Sequence, residues 1–549
     1  MSYSKKQIVI VGGVAGGMSA ATRLRRLNPE AKIFVLEKSS YVSYANCGLP
    51  YFIGGVIAER QDLLLQTPES LHARFDLDVR IRNEVTAIDR ERKVVTVLDL
   101  ATGTEYQLSY DSLVLSPGAQ PVVPPLPGIE KALTLRTVED VTRIVDAVRA
   151  EPRHAVVVGG GFIGIETAEN LRHRGIETTI IEALDQVLSP LDPEMAIPVA
   201  HEVRKHGVQL HLGVGVSAIH DEKVELSDGR LIPADLVILA IGVRPDITLA
   251  KMAGLDIGPR GGISTNFSNQ TSDPDIYAIG DAAEKVDALD GEATLVPLAN
   301  IANRQGRVVA DHIMGRKVRE VPSIGTAIVK VFDLTVATTG WNEKRLKRAG
   351  REYLVIHSHP GSHAGYYPGA KTLALKLLVD PSTHLILGAQ GVGRDGVDKR
   401  IDVIATAMRA GLHAYELADL ELAYAPPFGS AKDPINMLGY MAENIIFGLT
   451  ETIQWDELDD HLAAGAVLLD VRTASEFKRG HIPRALNIPV DDLRERIDEI
   501  PREELVVYCQ VGQRGHTGTL LLREFGFDAV NLDGGYQTWV HSPLTNVTR

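Results

Sequence analysis

Cys47 and Cys509 are the only cysteines in 549 residues, and as thiolates they are the chain's best candidates for attacking or carrying sulfur. They stand near opposite ends of the chain, so a disulfide framework of the secreted kind is excluded and a reducing cytoplasm is the expected compartment. A second chemical pattern is Gly159-x-Gly161-x-x-Gly164, which follows the apolar run Ala155 to Val158 and precedes a second run closed by Glu182. Glycines at that spacing permit a tight turn and bring a pyrophosphate close to a helix N-terminus, where unpaired N–H groups and the dipole favour anions. Glu182 would accept from a ribose 2′-OH and repel a 2′-phosphate, which points to NAD(H).

The same unit occurs earlier in the chain. IVIVGGVAGGMSAATRLRRLNPEAKIFVLEKS from residue 8 parallels AVVVGGGFIGIETAENLRHRGIETTIIEAL from residue 155, each reading strand, glycine turn, helix, strand and acid. Gly12, Gly13, Gly16 and Gly17 are present, Val14 stands where the second glycine is usual, and Glu37 supplies the acid. Two dinucleotide sites are therefore expected. Gly280-Asp281 in IYAIGDAAE follows another strand and offers an acid to a cofactor's sugar chain.

These patterns need several separate cores, and 549 residues at about 150 per domain allow three or four. A composition of 44% hydrophobic and 23% charged residues is that of a globular protein. The formal charge of −14 opposes nucleic acid as a partner. Lys5 and Lys6 precede an apolar run, but its glycines and the following Arg23, Arg25 and Arg26 read as strand, turn and helix rather than a leader. No run of 18 apolar residues suggests a membrane span. Pro124, Pro125 and Pro127 mark a crossing between lobes, and Leu236 to Asp246 reads as a strand leaving the second unit. From about residue 322 the pattern becomes α+β, and the last stretch, of roughly 95 residues, alternates strands and helices. His357, His359 and His363 match no common zinc spacing and read as loop histidines, so no metal is expected. Asn546-Val547-Thr548 has the form of a glycosylation sequon without meaning in a cytoplasmic protein.

The segment Tyr41-Val-Ser43-Tyr-Ala-Asn46-Cys47-Gly48-Leu-Pro-Tyr51 resembles the single-cysteine branch of the flavin-dependent pyridine nucleotide disulfide oxidoreductases, in which one redox thiol lies beside FAD. Residues 7 to 446 resemble the coenzyme A-disulfide reductases of that branch. That resemblance implies CoA contacts at Ser19, Arg23, Arg26, Ser43, Asn46, Asn303 and Lys432, and tyrosines at Tyr366, Tyr367 and Tyr424 that complete the site from the partner subunit of a homodimer. It further implies FAD and nucleotide contacts at Ala15, Lys38, Ser116, Gly118, Glu166, Gly242, Pro297 and Leu298, with Arg244 in the same motif. Arginines and lysine suit phosphates, and a phenol suits a leaving thiolate.

DVRTASEFKRGHIPRALNIP, CQVGQRG and GGYQTW resemble a rhodanese domain. Four residues separate Cys509 from Arg514, and a loop of that kind points N–H groups at sulfur and suits an anionic persulfide. The expected architecture is α/β: two Rossmann-like domains binding FAD (1–121 and 245–321) and NAD (122–244), an α+β dimerisation domain (322–448) and a rhodanese-like α/β domain (449–549). The expected activity is NADH- and FAD-dependent reduction of CoA persulfide, polysulfide or CoA disulfide through Cys47, with sulfur delivered by Cys509. A CoA-disulfide reductase or NADH oxidase carrying a regulatory rhodanese domain, and a redox-sensing sulfur-carrier binding protein, remain open alternatives.

Overall fold

The computed structural model describes residues 5–546. The last two residues of the sequon, Val547 and Thr548, lie outside them. The chain divides into two compact units, one of residues up to 185 with 207–324, the other of 186–206 with 325 onward.

The first unit contains the two repeats as two all-parallel sheets. Ile276–Ala278, Ser112–Leu115, Gln7–Val11, Lys32–Glu37 and Asp78–Ile81 lie side by side in that order. Val208–His211, Glu177–Ile181, His154–Val158, Leu236–Leu239 and Leu133–Thr134 form the other sheet. His154–Val158 is buried along its whole length, as a parallel strand covered on both faces requires. Both helices after the glycine turns pack against their strands without room for a side chain. A Cβ on Gly17 would strike the carbonyl of Gly12, and one on Gly164 that of Gly159. The helix Ala15–Leu27 crosses Ala299–Ile313 equally closely, since a Cβ on Gly306 would meet the Gly16 carbonyl.

In the second unit an antiparallel sheet runs in the order Ala327–Val331, Leu334–Gly340, Ile386–Gly393, Leu373–Val379, Leu354–Ser358. Val397–Ala410 and Pro434–Ile446 contribute Ile401, Ile404, Leu438 and Ala442 to its core. The helix Pro193–Lys205 belongs to this unit, and its N-terminal acids meet a fully buried lysine. Lys376 Nζ lies 3.0 Å from Asp192 Oδ2 and 2.5 Å from Glu194 Oε1, and it also pairs with Glu343. A lysine with three carboxylates keeps its charge, because the ion pairs outweigh desolvation.

A parallel sheet of Thr452–Ile453, Ala529–Leu532, Leu505–Tyr508, Val467–Asp470 and Leu486–Asn487 completes the unit. Contrary to the loop assignment for all three histidines, His357 is a buried residue of the strand Leu354–Ser358, whose last four residues are all buried, so that both faces are covered there. His359 and His363 do lie in the following loop. No helix among the described residues is long and apolar enough to cross a membrane.

Candidate functional site

The two glycine turns share a hydrogen-bond pattern. Gly13 N–H donates to Glu37 Oε2 and Ser39 N–H to Glu37 Oε1, both at 2.8 Å. Gly160 N–H and Leu184 N–H donate to the two oxygens of Glu182 at 2.7 and 2.8 Å. Each acid thus ties its strand end to its turn and keeps lone pairs for a sugar hydroxyl. Gly12 and Gly159 have φ of +99° and +112°, a conformation L side chains rarely adopt. Neither following helix has a side-chain cap: Val14 and Gly161 are the N-cap residues. Uncapped N–H groups beside a glycine cradle fit the pyrophosphate of a dinucleotide.

The other expected cofactor positions gather around these turns. Ala15, Gly16 and Gly17 open the first helix. Ser116 donates its amide to Val11, and Gly118 (φ +74°) is backed by Arg136, whose guanidinium bonds the Pro117 carbonyl at 2.8 Å. Gly280 and Asp281 form a 3-10 turn held by Gln305, whose Oε1 accepts from Gly280 N–H at 2.9 Å. Burial pushes the Asp281 carboxyl up, with Lys285 and Arg136 opposing. Pro297 and Leu298 precede the helix Ala299–Ile313. Gly242 and Arg244 flank and form the short strand Val243–Pro245, paired with Ala119–Pro121. Lys38 Nζ stands 4.0 Å from Asp246.

Cys47 sits in the 3-10 turn Asn46–Gly48, directly before the helix Leu49–Gly54, and is exposed. Ser43, at φ +47°, ties this segment to the first glycine turn by donating its amide to Gly13 O at 2.8 Å. Partial burial and then the Glu166 and Asp281 carboxylates push the Cys47 thiol up; its open face tempers the first cause. Tyr51, one turn beyond, donates to Glu166 Oε1 at 3.1 Å. Burial, with Glu169 assisting and Tyr51 opposing, pushes the Glu166 carboxyl up to about 7. Cysteine, carboxyl and phenol therefore form one electrostatically coupled group in which a proton is easily held.

Of the remaining expected residues, Ser19 Oγ donates to Asn303 Oδ1 at 2.8 Å. Arg23 pairs with Asp311 at 2.7 Å, and Arg26 stacks over the Phe75 ring 5.1 Å from its centroid. In the second unit Tyr366 and Tyr424 share a hydrogen bond of 2.8 Å although they are 77% and 46% exposed. That bond raises the Tyr424 phenol. Tyr367 stands apart from the pair, its ring 5.6 Å from that of His363. Lys432 is exposed beside Asp433, which caps Pro434–Ile446.

Cys509 is buried at the end of Leu505–Tyr508, just before the helix Gln513–Glu524. Arg514 makes two bonds to Glu476, at 2.7 and 2.8 Å, and its charge is favoured first by Glu476 and further by Cys509. Arg514 pulls the Glu476 carboxyl down to about 2. Tyr51 and Glu476 were not foreseen as site residues. Tyr51 could have been found one helical turn after Cys47, and Glu476 from its Thr473-x-x-Glu476 capping box.

Residues 6–306 match the pyridine nucleotide-disulphide oxidoreductase family, 326–433 its dimerisation domain, and 454–542 the rhodanese-like domain. The chain belongs to the pyridine nucleotide-disulphide oxidoreductases and is an oxidoreductase carrying a C-terminal rhodanese-like domain. A coenzyme A disulfide reductase of Staphylococcus aureus (strain JH9) is 38% identical over 80% of this chain and 100% of its own. Reduced Bacillus anthracis CoADR-RHD shares 50% identity and a TM-score of 0.97 over 98% of this chain and 99% of that one. A NAD-dependent persulfide reductase from A. fulgidus shares 39% identity and a TM-score of 0.92 over 97% and 100%.

Proposed function

We propose that this chain is an NADH- and FAD-dependent reductase of CoA persulfide, polysulfide and CoA disulfide, working as a homodimer. The observation that carries this reading is a lone exposed thiol, Cys47, in a segment bonded to the first glycine turn through Ser43 and to the helix after the second through Tyr51, with Cys509 the only other cysteine and buried in a rhodanese-like fold. Cys47 has no neighbouring cysteine with which to close an internal disulfide, so a sulfur substrate must be carried on it directly.

The first glycine turn with Glu37 would hold FAD, and the second with Glu182 would hold NADH. When bound, FAD supplies the two-electron link between NADH and sulfur. Cys47 attacks the outer sulfur of CoA persulfide or either sulfur of CoA disulfide, and CoA thiolate leaves. The overall reaction for the persulfide takes NADH, a proton and CoA persulfide to NAD⁺, CoA and hydrogen sulfide. Glu166 and Tyr51 hold a proton next to Cys47. The tyrosine pair Tyr366–Tyr424, contributed by the second copy, donates to the leaving thiolate. Ser19, Asn303, Arg23, Arg26, Ser43, Asn46 and Lys432 would bind CoA. For its arginines, this means that substrate phosphate competes with Asp311 for Arg23.

Cys509, with Arg514 beside it, receives sulfane sulfur and passes it on for reduction. Steady-state NADH oxidation with CoA persulfide, CoA disulfide, polysulfide and oxygen tests the reading. Oxygen as the preferred acceptor, or CoA disulfide without any sulfane substrate, would favour the oxidase or simple disulfide reductase instead. Turnover too slow with every acceptor would favour a sulfur-carrier sensor.

A further inference from the structure

The strand Leu354–Ser358 is at the edge of the dimerisation-domain sheet, yet its most buried polar side chain reaches into the rhodanese-like fold. His357 Nδ1 lies 2.8 Å from Asp533 Oδ2, and the His357 main-chain N–H donates to the same oxygen at 2.8 Å. Its Nε2 lies 3.1 Å from Glu194 Oε1. A carboxylate only accepts, so two carboxylates on one ring require both nitrogens to donate, and only the imidazolium does that. Among the described residues the Asp533 carboxylate has no other partner: its second oxygen is buried without a hydrogen bond, and the residue is 1% exposed. Among the described residues, a buried carboxylate of the rhodanese-like domain is therefore hydrogen-bonded by a single residue of the dimerisation domain.

Asp533 continues directly into the turn that pins the Cys509 loop. Gly534 and Gly535 follow with φ of +65° and +58°. A Cβ on Gly534 would meet the His357 Cβ, and one on Gly535 would strike the Cys509 carbonyl. Tyr536 N–H then donates to Cys509 O at 2.8 Å, and Gln537 N–H to Gln510 O at 2.9 Å. From His357 to the peptide of Cys509 the contacts are continuous and pass through two glycines that admit no larger residue.

We propose that His357 is a positioning residue for sulfur transfer: its charged ring holds Asp533 and, through Gly534, Gly535 and Tyr536, the loop that carries Cys509. This deepens the proposed function and rests on the reading that Cys509 carries sulfane sulfur. Burial alone would lower the His357 ring, but Asp533 and Glu194 raise it to about 9, against the charge of Lys376 on the neighbouring strand. Other charged groups around it are Asp192 and Glu343, both held by Lys376; of the titratable rings, His359 follows in the next loop, its Nε2 meeting Thr538 Oγ1 at 2.8 Å, and His541 belongs to the rhodanese-like domain, and burial lowers both. With its pKa raised on folding, the ring's contribution is full below about 6.5 and is lost as pH rises through about 9.

The test uses the full-length holoenzyme with thiosulfate as sulfur donor and cyanide as acceptor. Cys509 thiolate attacks the outer sulfur of thiosulfate, the S–S bond breaks and sulfite leaves with its electrons; cyanide then takes the sulfur as thiocyanate and restores the thiolate. His357→Gln and Asp533→Asn should each slow thiocyanate formation about tenfold, chiefly in kcat, and the double variant should be no slower than the worse single one, as expected for one coupled unit. NADH-driven CoA disulfide reduction should be unchanged. The wild-type rate should fall toward that of His357→Gln as pH rises through about 9. Wild-type rates in both single variants, or parallel pH profiles, would overturn the proposal. Loss of CoA disulfide reduction in His357→Gln would mean misfolding, and Asp533→Asn then decides. Absence of thiocyanate in the wild type would sink the role of Cys509 instead, and iodoacetamide alkylation of the buried Cys509 would then decide for His357: faster in both variants if the loop is held as proposed, equal if it is not.

Discussion

The phenol of Tyr51 donates to Oε1 of Glu166 at 3.1 Å, joining the helix after the Cys47 turn to the helix after the second glycine fingerprint. Glu166 titrates near pH 7, above its ordinary value, because burial disfavours its charge. A carboxyl raised on folding contributes most below about pH 4.5, and that contribution disappears as pH rises through about 7. The cost across this window is at most roughly 3 kcal/mol. Urea midpoints of the protein at pH 5 and pH 8 should show the decline, and Glu166→Gln should flatten it. An identical pH dependence in the variant counts against this assignment.

Removing the same charge should also ease ionisation of Cys47. Burial and the Glu166 and Asp281 carboxylates hold that thiol above its ordinary range. Glu166→Gln is expected to speed alkylation of Cys47 by iodoacetamide at pH 7 several-fold, read by peptide mass spectrometry. No acceleration would leave burial and the Asp281 carboxylate as the causes.

Glu182 accepts from Gly160 and Leu184, so its carboxylate is fixed at the strand end where a ribose would lie. NADH should be preferred to NADPH by about a hundredfold or more in kcat/KM, because a like-charge contact with a 2′-phosphate costs several kcal/mol. Glu182→Ala should narrow the preference. Equal efficiency with both nucleotides in the wild type would remove the assignment.

The two thiols should separate on mutation. Cys47→Ser should retain FAD and NADH binding and lose reduction of every sulfur substrate. Cys509→Ser should keep reduction of CoA persulfide and CoA disulfide, which reach Cys47 directly, and lose reduction of bulky polysulfide. If Cys509→Ser lost CoA persulfide reduction as completely as Cys47→Ser, the two would form one obligatory relay.

Tyr366 and Tyr424 share one hydrogen bond, and Tyr367 stands outside it. Tyr424→Phe should slow turnover by about 10² to 10⁴, the range for a true general acid. Tyr366→Phe should slow it less, and the double variant should resemble Tyr424→Phe. Unchanged kcat in all three would make the pair a packing feature.

Much of the fold was legible before the structure because its signals are local. Each glycine turn, its helix and its closing acid lie within one strand-turn-helix-strand unit, and backbone sterics at Gly12 and Gly159 leave few alternatives. The rhodanese-like loop from Cys509 to Arg514 is equally short-range. What the tertiary structure alone decided are the side-chain meetings across long stretches of chain: Tyr51 with Glu166, Tyr366 with Tyr424, and His357 with Asp533, separated by 115, 58 and 176 positions. Such pairs depend on strand order, on which face of a strand or helix a residue occupies and on the rotamer it adopts. His357 shows this most clearly: beside a proline and a glycine it reads as a loop residue, and only the sheet's register, with His357 opposite Lys376, turns it inward among buried carboxylates.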